Sequence, residues 1–138
     1  MIDTVLVPFD GTDQAESAIE YTRAVFPDRT VVLLTAIDPV DGFAAYDGPN
    51  GGNWQEQARL QAEELLDAQR STFPSDATVE TAVTVGKPTQ AIADAVETHD
   101  ADQVVIGSHG RAGIERVLVG SVAETVARSV AVPTTIVH

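Results

Sequence analysis

The chain has no cysteine. That absence excludes a disulfide framework and any thiolate metal centre. Aromatic residues make up only 5% of the sequence, and one of its eight basic residues, Lys87, is a lysine. No apolar run approaches the roughly 18 residues that a membrane span requires. The opening Met1-Ile2-Asp3-Thr4 lacks the basic segment and long apolar segment of a secretion signal. A soluble, cytoplasmic protein is therefore expected. The complete nucleotide fingerprints are also missing, with no G-x-x-x-x-G-K-[ST] and no G-x-G-x-x-G after the first apolar run.

Positive charge is scarce. Twenty-one acidic residues face eight basic ones, for a formal net charge of −13. Nucleic acid and anionic membrane both select cationic surfaces, so neither is expected as a partner. Such a chain repels itself at low ionic strength. At about 1 M salt the Debye length shrinks to roughly 3 Å and most of that repulsion is screened. Abundant Asp, Glu, Ala, Val and Thr with almost no Lys suggest a salt-adapted (halophilic) cytosol.

The 138 residues are expected to form one domain, 1–138, with a core large enough to need no staples. Apolar, β-branched runs at 4–9, 30–37, 79–85, 103–106 and 134–137 read as strands. The first, second and fourth are nearly continuous, as in a parallel sheet buried on both faces. Helical stripes lie between them: Ala15, Ala18, Ile19, Thr22 and Val25; Ala58, Ala62, Leu65 and Leu66; Ala91, Ile92, Ala95 and Val96; and Val122, Ala123, Val126, Ala127 and Val130. Asp13 with Glu16, Asn53 with Glu56, and Ser121 with Glu124 fit helix caps with an acidic partner, and Pro88 fits a first helical turn. The alternation predicts an open, doubly wound α/β sheet of five parallel strands.

Two loops depart from compact connections. The segment 38–53 is rich in Gly and Pro and carries Phe43 and Tyr46, so it reads either as a lid or as an unstructured insertion. The second follows the apolar run Val104-Val105-Ile106: Gly107, two residues, Gly110, nine residues, Gly120, then Ser121. Glycines let a backbone approach a ligand closely, and free N–H groups before a helix suit phosphate. The same spacing also fits an ordinary strand-to-helix connection. Arg111, Glu115 and Arg116 make this loop locally cationic in an acidic chain, which favours a polyphosphate, although both arginines could instead pair with surface carboxylates. Asp10, at the end of the first strand, reads as a ligand contact or as a stabiliser of the Asp10-Gly11-Thr12 turn. Asp13 is expected to cap the first helix and so leave Asp10 free. His109 has no Ser/Asp or second His partner in the loop, so neither a catalytic triad nor a metal site is expected.

The G-2x-G-9x-G-[ST] pattern resembles the signature of the ATP-binding branch of the universal stress protein family. The likeness extends over the chain, through Val5-Leu6-Val7-Pro8-Phe9-Asp10-Gly11-Thr12, Ala36-Ile37-Asp38, Val85-Gly86-Lys87-Pro88 and Val132-Pro133-Thr134-Thr135-Ile136-Val137. The resemblance implies a Rossmann-like (adenine nucleotide alpha hydrolase-like) fold, with ATP, ADP or AMP in the crevice at the carboxyl edge and Mg2+ carried by the nucleotide. It also implies a homodimer through the C-terminal edge strand and a stress-response or signalling role. Carried over, Asp10, Ala36 and Ile37 would surround the adenosine, and Gly107 and His109 would line the ribose. Gly110, Gly120, Ser121 and Val122 would meet the phosphates, with Arg111 in support. Many family members have a hydroxyl residue where this chain has Ala123, which removes one outer-phosphate contact. No catalytic residue is identified, so binding is expected rather than rapid turnover. A slow ATPase or related nucleotide-processing enzyme, and a dimeric interaction module without nucleotide, are the alternatives.

Overall fold

The computed structural model describes residues 2–39, 54–108 and 121–138, the side chain of Ser121 excepted. In chain order the elements are β1 (Thr4–Pro8), α1 (Asp13–Val25), β2 (Thr30–Ile37), α2 (Trp54–Arg70), β3 (Val79–Val85), α3 (Pro88–Thr98), β4 (Gln103–Gly107), α4 (Ser121–Ser129) and β5 (Thr134–Val137). The strands form one sheet in the order β3-β2-β1-β4-β5, and every neighbouring pair is parallel. This is the five-stranded Rossmann-like sheet expected, with β3 and β5 at its edges.

The continuous apolar runs have a direct structural cause. Val5, Val7, Val31, Leu33 and Val105 face one side, where they pack with Ala15, Ala18 and Ile19 of α1 and Leu66 of α2. Their sequence neighbours Leu6, Val32, Leu34, Val104 and Ile106 face the other side, against Ile92, Ala95 and Val96 of α3 and Ala123 and Val126 of α4. Alternate side chains point to opposite faces of a strand, so covering both faces requires apolar residues at every position. The edge strands β3 and β5 are only partly buried.

The helical stripes hold at their centres and fail at their margins. Val25, the last residue of α1, is 47% exposed, and Leu65 on the flank of α2 is 53% exposed. Ala127 of α4 is exposed as well. A 3.6-residue period identifies the face of a helix but not how wide the underlying sheet is, so flank positions are overcounted. Pro88 opens α3 as expected, following an extended Lys87. At the far end of α3, Asp100 N donates to Glu97 O and Ala101 N to Val96 O, a Schellman closure with Asp100 at φ 51.

The amino edge is fastened by Asp102. Its Oδ2 accepts hydrogen bonds from Asp3 N at 2.9 Å and Thr4 N at 3.0 Å, while Asp102 N donates to Thr4 O at 2.8 Å. These bonds join the starts of β1 and β4. The two backbone donors, Asp3 first, hold the Asp102 carboxyl below its ordinary value.

Candidate functional site

The strand order reverses between β1 and β4, because β1 leads to α1 on one face and β4 leads to α4 on the other. Two connections diverging in this way open a crevice at the carboxyl ends of the strands, the usual ligand position in open α/β sheets. The β1–α1 connection is held by short contacts. Phe9 N donates to Leu34 O at 2.7 Å, and Thr35 Oγ1 donates to Phe9 O at 2.9 Å. Past Phe9 the chain turns through Asp10 and Gly11, whose φ of +83 requires a glycine-like conformation.

Thr12, not Asp13, caps α1. Its backbone is extended (φ −79, ψ 162), and its Oγ1 accepts from Ala15 N at 3.2 Å. The same hydroxyl donates to Asp10 Oδ1 at 2.6 Å, and Thr12 N donates to that oxygen at 3.1 Å. Asp13 and Glu16 instead lie in the first helical turn, where their charges favour the helix dipole. Asp10 is therefore not free of the turn: Oδ1 is committed to Thr12. Its other oxygen, Oδ2, makes no hydrogen bond among the described residues, and the side chain is exposed. The structure thus shows the turn-stabilising role of this carboxylate, through Oδ1.

The strand ends bring further groups to the same edge. Thr4 is opposite Thr30, and Val5 is opposite Gln103. Asp10 follows the end of β1 and Ser108 the end of β4, both at the carboxyl edge of the sheet, and Ala36 is near the carboxyl end of the adjoining β2. Ser108 is fully buried, its N donates to Val137 O at 2.8 Å, and its Oγ has no hydrogen-bond partner among the described residues. A buried hydroxyl without a partner costs about 1–3 kcal/mol and needs a physical reason. Sequence reasoning passed over Ser108, although it lies inside the glycine pattern.

Other expected site residues are placed less simply. Ile37 is buried with Ala58 and Ala62 of α2, with Trp54 packed alongside, so its side chain belongs to the core beneath α2. A Cβ at Gly107 would lie 2.7 Å from Gln14 C, 2.8 Å from Gln14 O and 2.9 Å from Ala15 N. This glycine lets the first turn of α1 rest on β4, a packing purpose that the spacing did not reveal. Val122 is half-buried against the α3/α4 core, and Ala123 is buried within it. Ser121 is the first residue of α4 rather than a residue preceding it. His109, Gly110, Arg111 and Gly120, the loop segment 40–53 and the Asn53 cap lie outside the described residues. Among the described residues, no three His, Cys, Asp or Glu side chains are grouped to hold a metal. No described helix is long and apolar enough to cross a membrane.

An open parallel sheet with its crevice at the strand-order reversal defines a Rossmann-like α/β protein. Within that class the family is specific: the model of the Universal stress protein family matches residues 1–138, and the chain belongs to that family. It is 27% identical over 141 residues to universal stress protein MJ0531 of Methanocaldococcus jannaschii, covering 96% of this chain and 80% of that protein. Among solved structures, the hypothetical protein MJ0577 matches with a TM-score of 0.86 and 24% identity, over 99% of this chain and 96% of that one. A universal stress protein solved in complex with cAMP matches with a TM-score of 0.67 and 25% identity, over 99% and 97% of the two chains.

Proposed function

We propose that this universal stress protein binds ATP in the β1/β4 crevice and serves as a nucleotide-responsive stress protein rather than a fast enzyme. The observation that carries the reading is a pair of polar atoms near the strand-order reversal that no described residue engages, the exposed Asp10 Oδ2 and the buried Ser108 Oγ. A carboxylate oxygen suits ribose or adenine donors, and a buried hydroxyl suits a polar ligand atom. The structural relative solved with cAMP adds that this fold accommodates an adenine nucleotide elsewhere in the family. In the 107–122 loop, Gly107 and His109 would line the ribose, Gly110, Gly120, Ser121 and Val122 would meet the phosphates with Arg111 in support, and Mg2+ would arrive with the nucleotide. Ala36 would lie beside the adenosine, whereas Ile37 would contribute through its main chain. Burial of Ala123 directs that position into the core, so ADP and AMP are the competing occupants.

The remaining parts of the proposal are one domain over 1–138, a cytoplasmic and salt-rich setting, and a homodimer. β5 lies at the sheet edge, and its unpaired backbone groups could pair with a second copy.

The test is nucleotide-dependent melting with ATP, ADP, AMP and cAMP, each with and without Mg2+. ATP–Mg2+ at a hundred times its Kd should add about 2.7 kcal/mol of stability. Asp10→Asn keeps an acceptor for Thr12 and removes the charge, so it should fold normally and bind ATP at least about tenfold more weakly. Gly120→Val should abolish binding. No stabilisation by any nucleotide, or unchanged affinity in both variants, would refute the reading.

A further inference from the structure

β2 lies between β1 and β3. In a parallel sheet the N–H and C=O of one residue turn to the same neighbouring strand, and residues two apart turn the same way. Thr30 N donates to Asp3 O at 3.0 Å, and Leu34 O accepts from Phe9 N at 2.7 Å, so both residues turn toward β1. Two residues beyond Leu34, Ala36 directs its N–H and C=O to that same side, past the end of β1.

The ladder pattern calls for Ala36 N to donate to Phe9 O, one step beyond the bond from Phe9 N to Leu34 O. That bond is not made, and β1 stops at Pro8. Phe9 O accepts from Thr35 Oγ1 at 2.9 Å instead. A side chain of β2 thus holds the carbonyl that the backbone of β2 would otherwise use. Ala36, half-buried at the carboxyl edge, is left with an N–H that no described residue accepts. Main-chain groups away from water are seldom left unpaired. The same hydroxyl steadies the Phe9–Asp10 peptide from one side, while Thr12 Oγ1 holds Asp10 Oδ1 at 2.6 Å from the other.

We propose that Thr35 is a positioning residue for the nucleotide: its hydroxyl holds Phe9 O, which keeps the Ala36 main chain open to ligand and sets Asp10 at the crevice. This role rests on the nucleotide reading above, and Thr35 acts through Phe9 and Ala36 rather than by touching ligand. Loss of the hydroxyl lets the β1–β2 ladder close by one bond, with Ala36 N donating to Phe9 O.

Thr35→Val removes the hydroxyl at nearly constant shape, and Thr35→Ser retains it. Amide hydrogen exchange and ATP–Mg2+ affinity would be measured on the full chain for the parent and both variants. In the ligand-free parent, Ala36 N–H should exchange at least about tenfold faster than the paired Phe9 N–H. Thr35→Val should slow exchange at Ala36 and weaken ATP binding, each by about tenfold, whereas Thr35→Ser should stay within about twofold of the parent in both. A merely structural loss would speed exchange throughout β1 and β2, the opposite sign at Ala36. A protected Ala36 amide in the parent, faster exchange there in Thr35→Val, or a Thr35→Ser variant as impaired as Thr35→Val would each overturn the proposal. A parent that binds no nucleotide refutes the function and this role together. ATP binding that Thr35→Val leaves unchanged refutes the positioning role alone.

Discussion

Replacing Gly107 with alanine would set a methyl group against backbone that cannot turn aside. The added carbon would lie 2.7–2.9 Å from Gln14 C, Gln14 O and Ala15 N in the first turn of α1. Ordinary contacts between such atoms are about 3.4–4 Å, so α1 must retreat by several tenths of an ångström. That helix is not free to do so, because Ala15, Ala18 and Ile19 are packed into the core with Val5, Val7 and Val105. Inserting a carbon into packing of this kind costs about 1–3 kcal/mol. Gly107 has no positive φ, so alanine is conformationally allowed there and recovers about 0.4–1 kcal/mol by restricting the unfolded chain. The net loss should be about 1–2 kcal/mol, or a fall in Tm of roughly 3–8 °C for a chain of this length. Calorimetry with urea unfolding would measure it. Because the moving turn carries Thr12 and thereby Asp10, ATP affinity should weaken as well. A variant that melts within about 1 °C of the parent and binds nucleotide equally would refute the steric argument.

Three other outcomes follow from the same structure. The Asp102 carboxyl is held low by backbone donors, so its contribution to stability is complete above the ordinary carboxylate range and is lost as pH falls through its depressed folded value. Asp102→Asn should therefore lose stability at neutral pH and show a shallower acid dependence than the parent, and parallel pH–stability curves would contradict this. At the end of α3, Asp100 holds φ 51 and a negative charge at a helix C-terminus, so Asp100→Gly should stabilise by about 1 kcal/mol; a lower Tm would count against both causes. With a net charge of −13, Tm should climb as KCl is raised from low to multimolar concentration, and a salt-independent melt would remove the halophilic reading.

β1, β2 and β4 were legible because a sheet covered on both faces imposes continuous apolar runs, and β2, β3 and β5 begin and end where their sequence runs do. Family membership was legible because several spaced segments, not one motif, carry it. The cap of α1 was misread since Thr12 and Asp13 are both good capping residues, and only the backbone turn at Gly11 decides which side chain faces Ala15 N. The outward positions of Val25 and Leu65 escaped the periodicity because exposure there depends on where the sheet stops.

The sequence by itself determined the parallel α/β layering, the acidic character and the positions of the candidate loops, since these depend on patterns local to each segment. Only the tertiary structure showed that Gly107 makes room for α1, that Thr12 engages Asp10 Oδ1 while Oδ2 meets no described residue, and that Ser108 Oγ and Arg29 Nε are buried without partners among the described residues. Those facts arise from contacts between segments far apart in the chain, where steric fit and hydrogen-bond satisfaction are settled by the whole fold rather than by any one stretch of residues.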